Sequence, residues 1–218
     1  MIIGLVVLGC VVVLLFFGIT QRVLNSFGVA YWLAFIVIGA LIASAFVPSF
    51  AIYGVSVSVS GFIVPSAVAV LFFAISGRAR EAGHSAVTAS AVLAVYVAVE
   101  LLLAPVVNAT VIAVVAGISC GAIAYVVGKT ELVSVAGVFT GVVTGDVVAA
   151  VVEHFSYGSA MRLGSYGSFD AIVLGAVFSV ILFEAVAAVK RRLNAKRSVM
   201  AETAEEFDPD EYKKYFDE

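Results

Sequence analysis

Charge is what this chain has least of. Only 12% of its 218 residues are Asp, Glu, Lys or Arg, against about 25% in soluble domains. Such a composition cannot clothe a water-facing surface, so the bulk of the chain belongs in lipid and the bilayer is its first expected partner. Basic residues are outnumbered, 12 to 15, for a formal net charge of -3, and no nucleic-acid partner is expected. Cysteine is scarce as well. Cys10 and Cys120 each sit in the middle of an apolar run, which excludes a disulfide framework and a thiolate metal site and leaves buried packing. No basic residue precedes Ile2-Ile3, and no convincing small-residue cleavage site stands before Gln21. The first run therefore reads as a retained anchor rather than a signal peptide. Neither a cofactor nor a resident metal is expected.

What is abundant is apolar length, 63% of the chain. Seven runs can be drawn, at 2–19, 29–47, 62–76, 86–104, 106–127, 132–152 and 169–189. A span needs roughly 20 residues at about 1.5 Å rise each. The third run is short and borrows from the Val/Ser stretch before it; if it only dips into the membrane, the count falls to six. The predicted fold class is all-α, a polytopic transmembrane helix bundle of about seven spans, with broken or re-entrant segments on the outer side. It occupies residues 1–192, and 193–218 form a short acidic cytoplasmic tail expected to be disordered, with Asp208-Pro209 as a helix-start signal.

Basic residues near span ends stay in the cytoplasm. Numbered alternately, the loops put Arg22, Arg78, Arg80, Lys129 and the Lys190–Arg197 cluster on one side, with Arg162 alone on the other. The expected location is the cell membrane, multi-pass, amino terminus outside and carboxyl terminus cytoplasmic.

Small residues mark close approaches. Gly137, Gly141 and Gly145 are four apart and end one residue before Asp146, a stripe that lets a neighbouring helix pack tightly. Two outer connections are unusual. Residues 48–61 run Pro48-Ser49-Phe50-Ala51-Ile52-Tyr53-Gly54 and then alternate Val and Ser up to Ser60-Gly61, and Pro65 follows; residues 153–168 are rich in Gly, Ser and Tyr. A period of two is a strand signal, here too short to stand alone. Both stretches read as broken or re-entrant segments lining one cavity, with ordinary surface loops as the alternative.

Asp146 and Asp170 are the centre of the functional reading. Each lies in or at the mouth of a spanning run, where a carboxylate costs roughly 2.5–3.5 kcal/mol on insertion scales. They fall on consecutive antiparallel helices, so each is the other's candidate partner. Close carboxylates share a proton, the arrangement by which an acid pair activates water and also a means of binding a coupling ion. Asp146 and Asp170 are the candidate catalytic pair. Gly145, Phe169, Glu100, Ser60, Gly61 and Pro65 are the candidate binding residues. Glu153 and His154 make a metal constellation with the two aspartates conceivable, but no recognised ligand spacing supports it.

Ser60-Gly61-Phe62-Ile63-Val64-Pro65, Gly141-Val142-Val143-Thr144-Gly145-Asp146 and Gly167-Ser168-Phe169-Asp170 resemble three motifs of a prokaryotic integral membrane family known as domain of unknown function 1614. The likeness covers about residues 55–185 and implies no established activity. In site logic the chain is also similar to the presenilin and signal-peptide-peptidase proteases, which pair Tyr-Asp with Gly-x-Gly-Asp. Here Phe169-Asp170 and Val143-Thr144-Gly145-Asp146 stand in reversed order.

Three functions follow as expectations. One is an intramembrane aspartyl hydrolase acting on a single-span membrane substrate, with segment 55–60 as an edge for a substrate strand. Another is a proton- or cation-coupled carrier of a small solute. The third is a scaffold in which the aspartates hold backbone amides. For topology, a cysteine replacing Arg162 should react with an impermeant reagent added outside; labelling from the cytoplasm overturns the orientation.

Overall fold

The computed structural model describes residues 2–17, 31–76, 79–104, 106–158, 160–164 and 167–205. Arg22 and Arg78, Ser165-Tyr166 and the Asp208-Pro209 signal lie outside the described residues. The protein is a helical bundle; among the described residues 83% are helical, in seven α-helices. They are α1 (Ile2–Phe16), α2 (Tyr31–Ser44), α3 (Val64–Ser76), α4 (Ala79–Leu103), α5 (Ala109–Val127), α6 (Glu131–Tyr157) and α7 (Ser168–Glu205). Four of them, α4 to α7, are long and apolar enough to cross a membrane, and this is a membrane protein. α1, α2 and α3 are shorter, at 15, 14 and 13 residues.

The chain divides into two compact units, 1–182 and 183–218. Within the second, helix continues beyond the expected boundary at 192 as far as Glu205. The first holds everything that bears on function.

Helix boundaries have local causes. Thr130 and Asn108 accept from the Val133 and Val111 amides, capping the first turns of α6 and α5. Gly158 adopts the left-handed conformation that closes α6, its N–H returning to His154 O. α3 is preceded by a π-helical turn, Val59–Ile63, started by Ser58, whose side chain accepts from Gly61 N. Pro65 then stands in the first turn of α3, where its missing N–H costs nothing. This is the broken segment expected at Pro65, and the break is one of helix type rather than a loop.

The two unusual connections meet. β1 (Phe50–Ile52) and β2 (Val55–Val57) form an antiparallel hairpin turning at Tyr53-Gly54, and β3 (Arg162–Leu163) joins β2 in parallel. Ser56 N donates to Met161 O and Ser58 N to Leu163 O, both at 2.9 Å. The strand order β1-β2-β3 makes β2 central. Segment 55–57 is therefore bonded on both sides, which corrects the expectation that it offers a free edge to a substrate strand. The physical reason is the Arg162-Leu163 backbone, which fills that edge.

The core is built on glycine contacts. α4 packs chiefly on α6 and α5. A side chain at Gly137 would strike Thr88, one at Gly141 Val92, and one at Gly145 Tyr96. The contacts advance four residues on each helix, so α4 and α6 run parallel with backbone against side chain at three successive turns. Gly117 and Gly121 of α5 give the same close approach to α7 at Leu174, Ala171 and Gly175. Gly141→Ala forces a methyl to within 2.6 Å of Ala89 O and Val92 Cβ. It should cost about 1–3 kcal/mol by overpacking, read by unfolding in detergent. Gly39→Ala, with nothing within 4 Å, should be neutral or slightly stabilising.

Candidate functional site

Asp146 follows Gly145 directly on α6, one residue past the glycine stripe that packs on α4. Its side chain is 2% exposed. Both carboxylate oxygens are engaged by the connection into α7: Oδ2 accepts from Gly164 N at 2.5 Å and Oδ1 from Ser168 Oγ at 2.5 Å. Gly164 can serve because its backbone is left-handed, φ +75°, and because it lies face to face with Gly61 in the π-helical turn. A side chain on either glycine would drive into the other's backbone. A single carboxylate thus ties together α6, the start of α7 and, through Gly164, the turn that opens α3.

Two groups from α4 complete the cluster. The Tyr96 hydroxyl lies 3.2 Å from Ser168 Oγ, which in turn donates to Asp146 Oδ1. Glu100, one helical turn after Tyr96, is 1% exposed, and its buried Oε2 has no hydrogen-bond partner among the described residues. Two carboxyls and two hydroxyls, those of Glu100, Asp146, Tyr96 and Ser168, are therefore buried in this part of the bundle.

Asp170 has a different neighbourhood. It is 2% exposed, and its Oδ1 accepts from Gly4 N at 2.9 Å. Gly4 lies in the first turn of α1, where helical N–H groups have no intrahelical acceptor. A methyl at Gly4 would meet Asp170 Oδ1 at 2.7 Å and the Phe169 ring at 3.0 Å. Phe169 and Asp170 thus form the seat for α1.

Of the expected residues, Asp146, Glu100 and Gly145 come together, with Gly61 behind Gly164. Ser60 Oγ lies 3.3 Å from Ser58 Oγ, within the capped turn, and Pro65 opens α3. Asp146 and Asp170 have separate amide donors, one on the connection before α7 and one on α1. Tyr96, Ser168, Gly164 and Gly4 were not expected. Tyr96 and Glu100 carried a usable signal, being four apart on one face of an apolar helix. His154 is exposed and stacks edge-on with Phe155. Among the described residues no group of three or more His, Cys, Asp or Glu is close enough to hold a metal ion.

Compared with family models, with curated proteins and with solved structures, the chain matches none.

Removing the Asp146 carboxylate would leave the Gly164 N–H and the Ser168 hydroxyl without their acceptor. Each buried orphan costs about 1–3 kcal/mol, so Asp146→Ala should destabilise by about 2–6 kcal/mol in detergent unfolding. Asp146→Asn, which keeps an accepting oxygen, should lose less. Equal losses for the two variants would mean that these bonds carry no stability.

Proposed function

We propose that this membrane protein is a proton- or cation-coupled carrier of a small solute, with Asp146 and Glu100 as the ion-binding carboxyls. The observation that carries the reading is Glu100, a second buried acid, 1% exposed and one turn from Tyr96, whose Oε2 has no hydrogen-bond partner among the described residues. Burying an unpartnered acid is expensive. Scaffolding has no need of one, whereas a site that takes up and releases an ion does. Asp146 supplies the fixed end of the site and Glu100 the free end. The π-helical turn beside it supports the same reading, since broken helices accompany binding sites in transporters. In this proposal seven helices cross the membrane, with the amino terminus outside and the carboxyl terminus in the cytoplasm, as the Lys and Arg asymmetry favours.

The scaffold reading draws on a separate observation, that both aspartates accept from backbone amides, at Gly164 and Gly4. An aspartyl hydrolase would instead require Asp146 and Asp170 to share a proton, while both Asp146 oxygens already accept from Gly164 N and Ser168 Oγ.

The test is flux into proteoliposomes under an imposed proton or sodium gradient, using a panel of labelled small solutes. Gradient-driven uptake is expected in wild type. Loss of a charged hydrogen-bonding group, worth about 1.5–3 kcal/mol, should slow it roughly 10–100-fold in Glu100→Gln and Asp146→Asn. Uptake unchanged in both variants overturns the carrier, and cleavage of a single-span substrate abolished by Asp146→Asn and Asp170→Asn would establish the hydrolase instead.

A further inference from the structure

We propose that the β1–β2 hairpin is an interfacial anchor, its apolar face and the Tyr53 tip lying in the headgroup layer of the bilayer rather than in water. It stands apart from the carrier reading, since the acidic cluster makes no use of this segment.

The register sorts the side chains of the hairpin. Phe50 pairs with Val57 and Ile52 with Val55, and residues directly opposite on antiparallel strands share a face. One face is therefore wholly apolar, while Ala51 and Ser56 share the other. The Val/Ser alternation of the sequence builds a two-faced ribbon, and its apolar face is open at Phe50 and Ile52, both exposed. Tyr53 and Gly54 have φ of +48° and +85°, the two positive values that a two-residue type I′ turn requires. Asn, Asp or Gly normally fills the first of these positions, and a bulky residue there is an outlier. The chain nonetheless holds a tyrosine at this point, fully exposed.

Two observations choose lipid as the occupant. The first is charge. From Val23 to Gly77 there is no Asp, Glu, Lys, Arg or His, a stretch that includes the whole connection from α2 to α3. Soluble domains carry about one charged residue in four; this connection carries none. The second is level. α6 and α7 are each long and apolar enough to cross a membrane, so the connection between them emerges at a membrane surface. Ser56 N and Ser58 N donate to Met161 O and Leu163 O of that connection, which brings the hairpin to the same level. The apolar surface also continues along the chain into Phe46 and Val47, exposed just before β1.

The outer edge of β1 sets the depth. Ser56 and Ser58 give their amides to the β3 side, so Val55 and Val57 bond to β1, and by the register Ala51 turns its N–H and C=O outward. β1 ends the strand order, and backbone without a partner is not tolerated in hydrocarbon. Headgroups and their water satisfy it. Tyrosine, with an apolar ring and a polar tip, belongs at that same level. A second copy pairing along β1 would satisfy the edge and still leave the apolar face uncovered, whereas the interface answers both.

Trp32 is the single tryptophan, so Trp32→Phe gives a tryptophan-free background for a reporter. In phosphatidylcholine vesicles, Phe50→Trp or Tyr53→Trp in that background should show blue-shifted emission. A nitroxide near the lipid headgroup should quench it more than one at the bilayer centre. Ala51→Trp, on the opposite face, should answer to aqueous iodide instead. Quenching of all three by iodide alone makes the hairpin a water-borne loop and overturns the proposal, as does stronger quenching of Phe50→Trp by the central nitroxide. Emission shielded from every quencher also overturns it, and loss of that shielding when the protein is diluted in lipid assigns the face to a second copy. The unaltered chain supplies a measurement that no misfolded variant can spoil. Phosphatidylcholine with a photoactivatable group just below its headgroup should cross-link within residues 50–53, read by mass spectrometry. Adducts on the helices with none in the hairpin refute the anchor.

Discussion

The bond between the Asp146 carboxylate and the Gly164 amide is the constraint on which the site depends. In a hydrocarbon interior no water replaces a lost partner, so each backbone N–H off the helical ladder needs a dedicated acceptor. Gly164 belongs to a stretch that is not helical and cannot use its own i−4 carbonyl. Asp146 is the acceptor it finds, and because the Ser168 hydroxyl takes the other oxygen, the carboxylate fixes both the connection and the first residue of α7. Gly61 presses on Gly164 from the other side, so the π-helical turn inherits its position from the same bond.

Close approach is obtained by leaving side chains out. Gly61 and Gly164 bring two irregular stretches into direct backbone contact, and Gly4 lets the first turn of α1 reach Asp170 and Phe169. Where a membrane bundle lacks a hydrophobic drive between helices, packing of this kind and buried hydrogen bonds hold it together. Both appear at the acidic cluster, and the cluster is correspondingly dry: Tyr96, Glu100, Asp146 and Ser168 are all buried. A polar group placed there cannot be indifferent. It is partnered by something specific, or, like Glu100 Oε2, it marks a place where a partner comes and goes in the proposed cycle.

The helices were legible because lipid imposes a one-dimensional rule: apolar length alone nearly determines them. Each of the seven runs contains a helix, with boundaries displaced by caps such as Thr130 and Gly158 that act locally. Asp146 and Asp170 stood out for the same reason, as charges where none should be. Their partners did not. Gly164 and Ser168 lie 18 and 22 residues from Asp146, and Gly4 lies 166 from Asp170; only the fold decides that they meet. The Val/Ser alternation of 55–60 announced a strand, but its third partner, two residues at Arg162-Leu163, is too short to carry any period. The expectation that the two aspartates face each other rests on adjacency of helices; the structure gives each an amide donor, Gly164 for Asp146 and Gly4 for Asp170.

The parallel seam between α4 and α6 has a mechanical consequence. At three successive turns a side chain of α4 lies in a notch cut by a glycine of α6, in the manner of teeth in a rack. A rack with three engaged teeth resists sliding by less than a full turn, about 5.4 Å, and resists rolling as well. Tyr96 and Glu100 are on one side of that seam and Asp146 on the other. The seam therefore resists any sliding of Tyr96 and Glu100 past Asp146, so that the spacing of the site is set by the fit of α4 into α6.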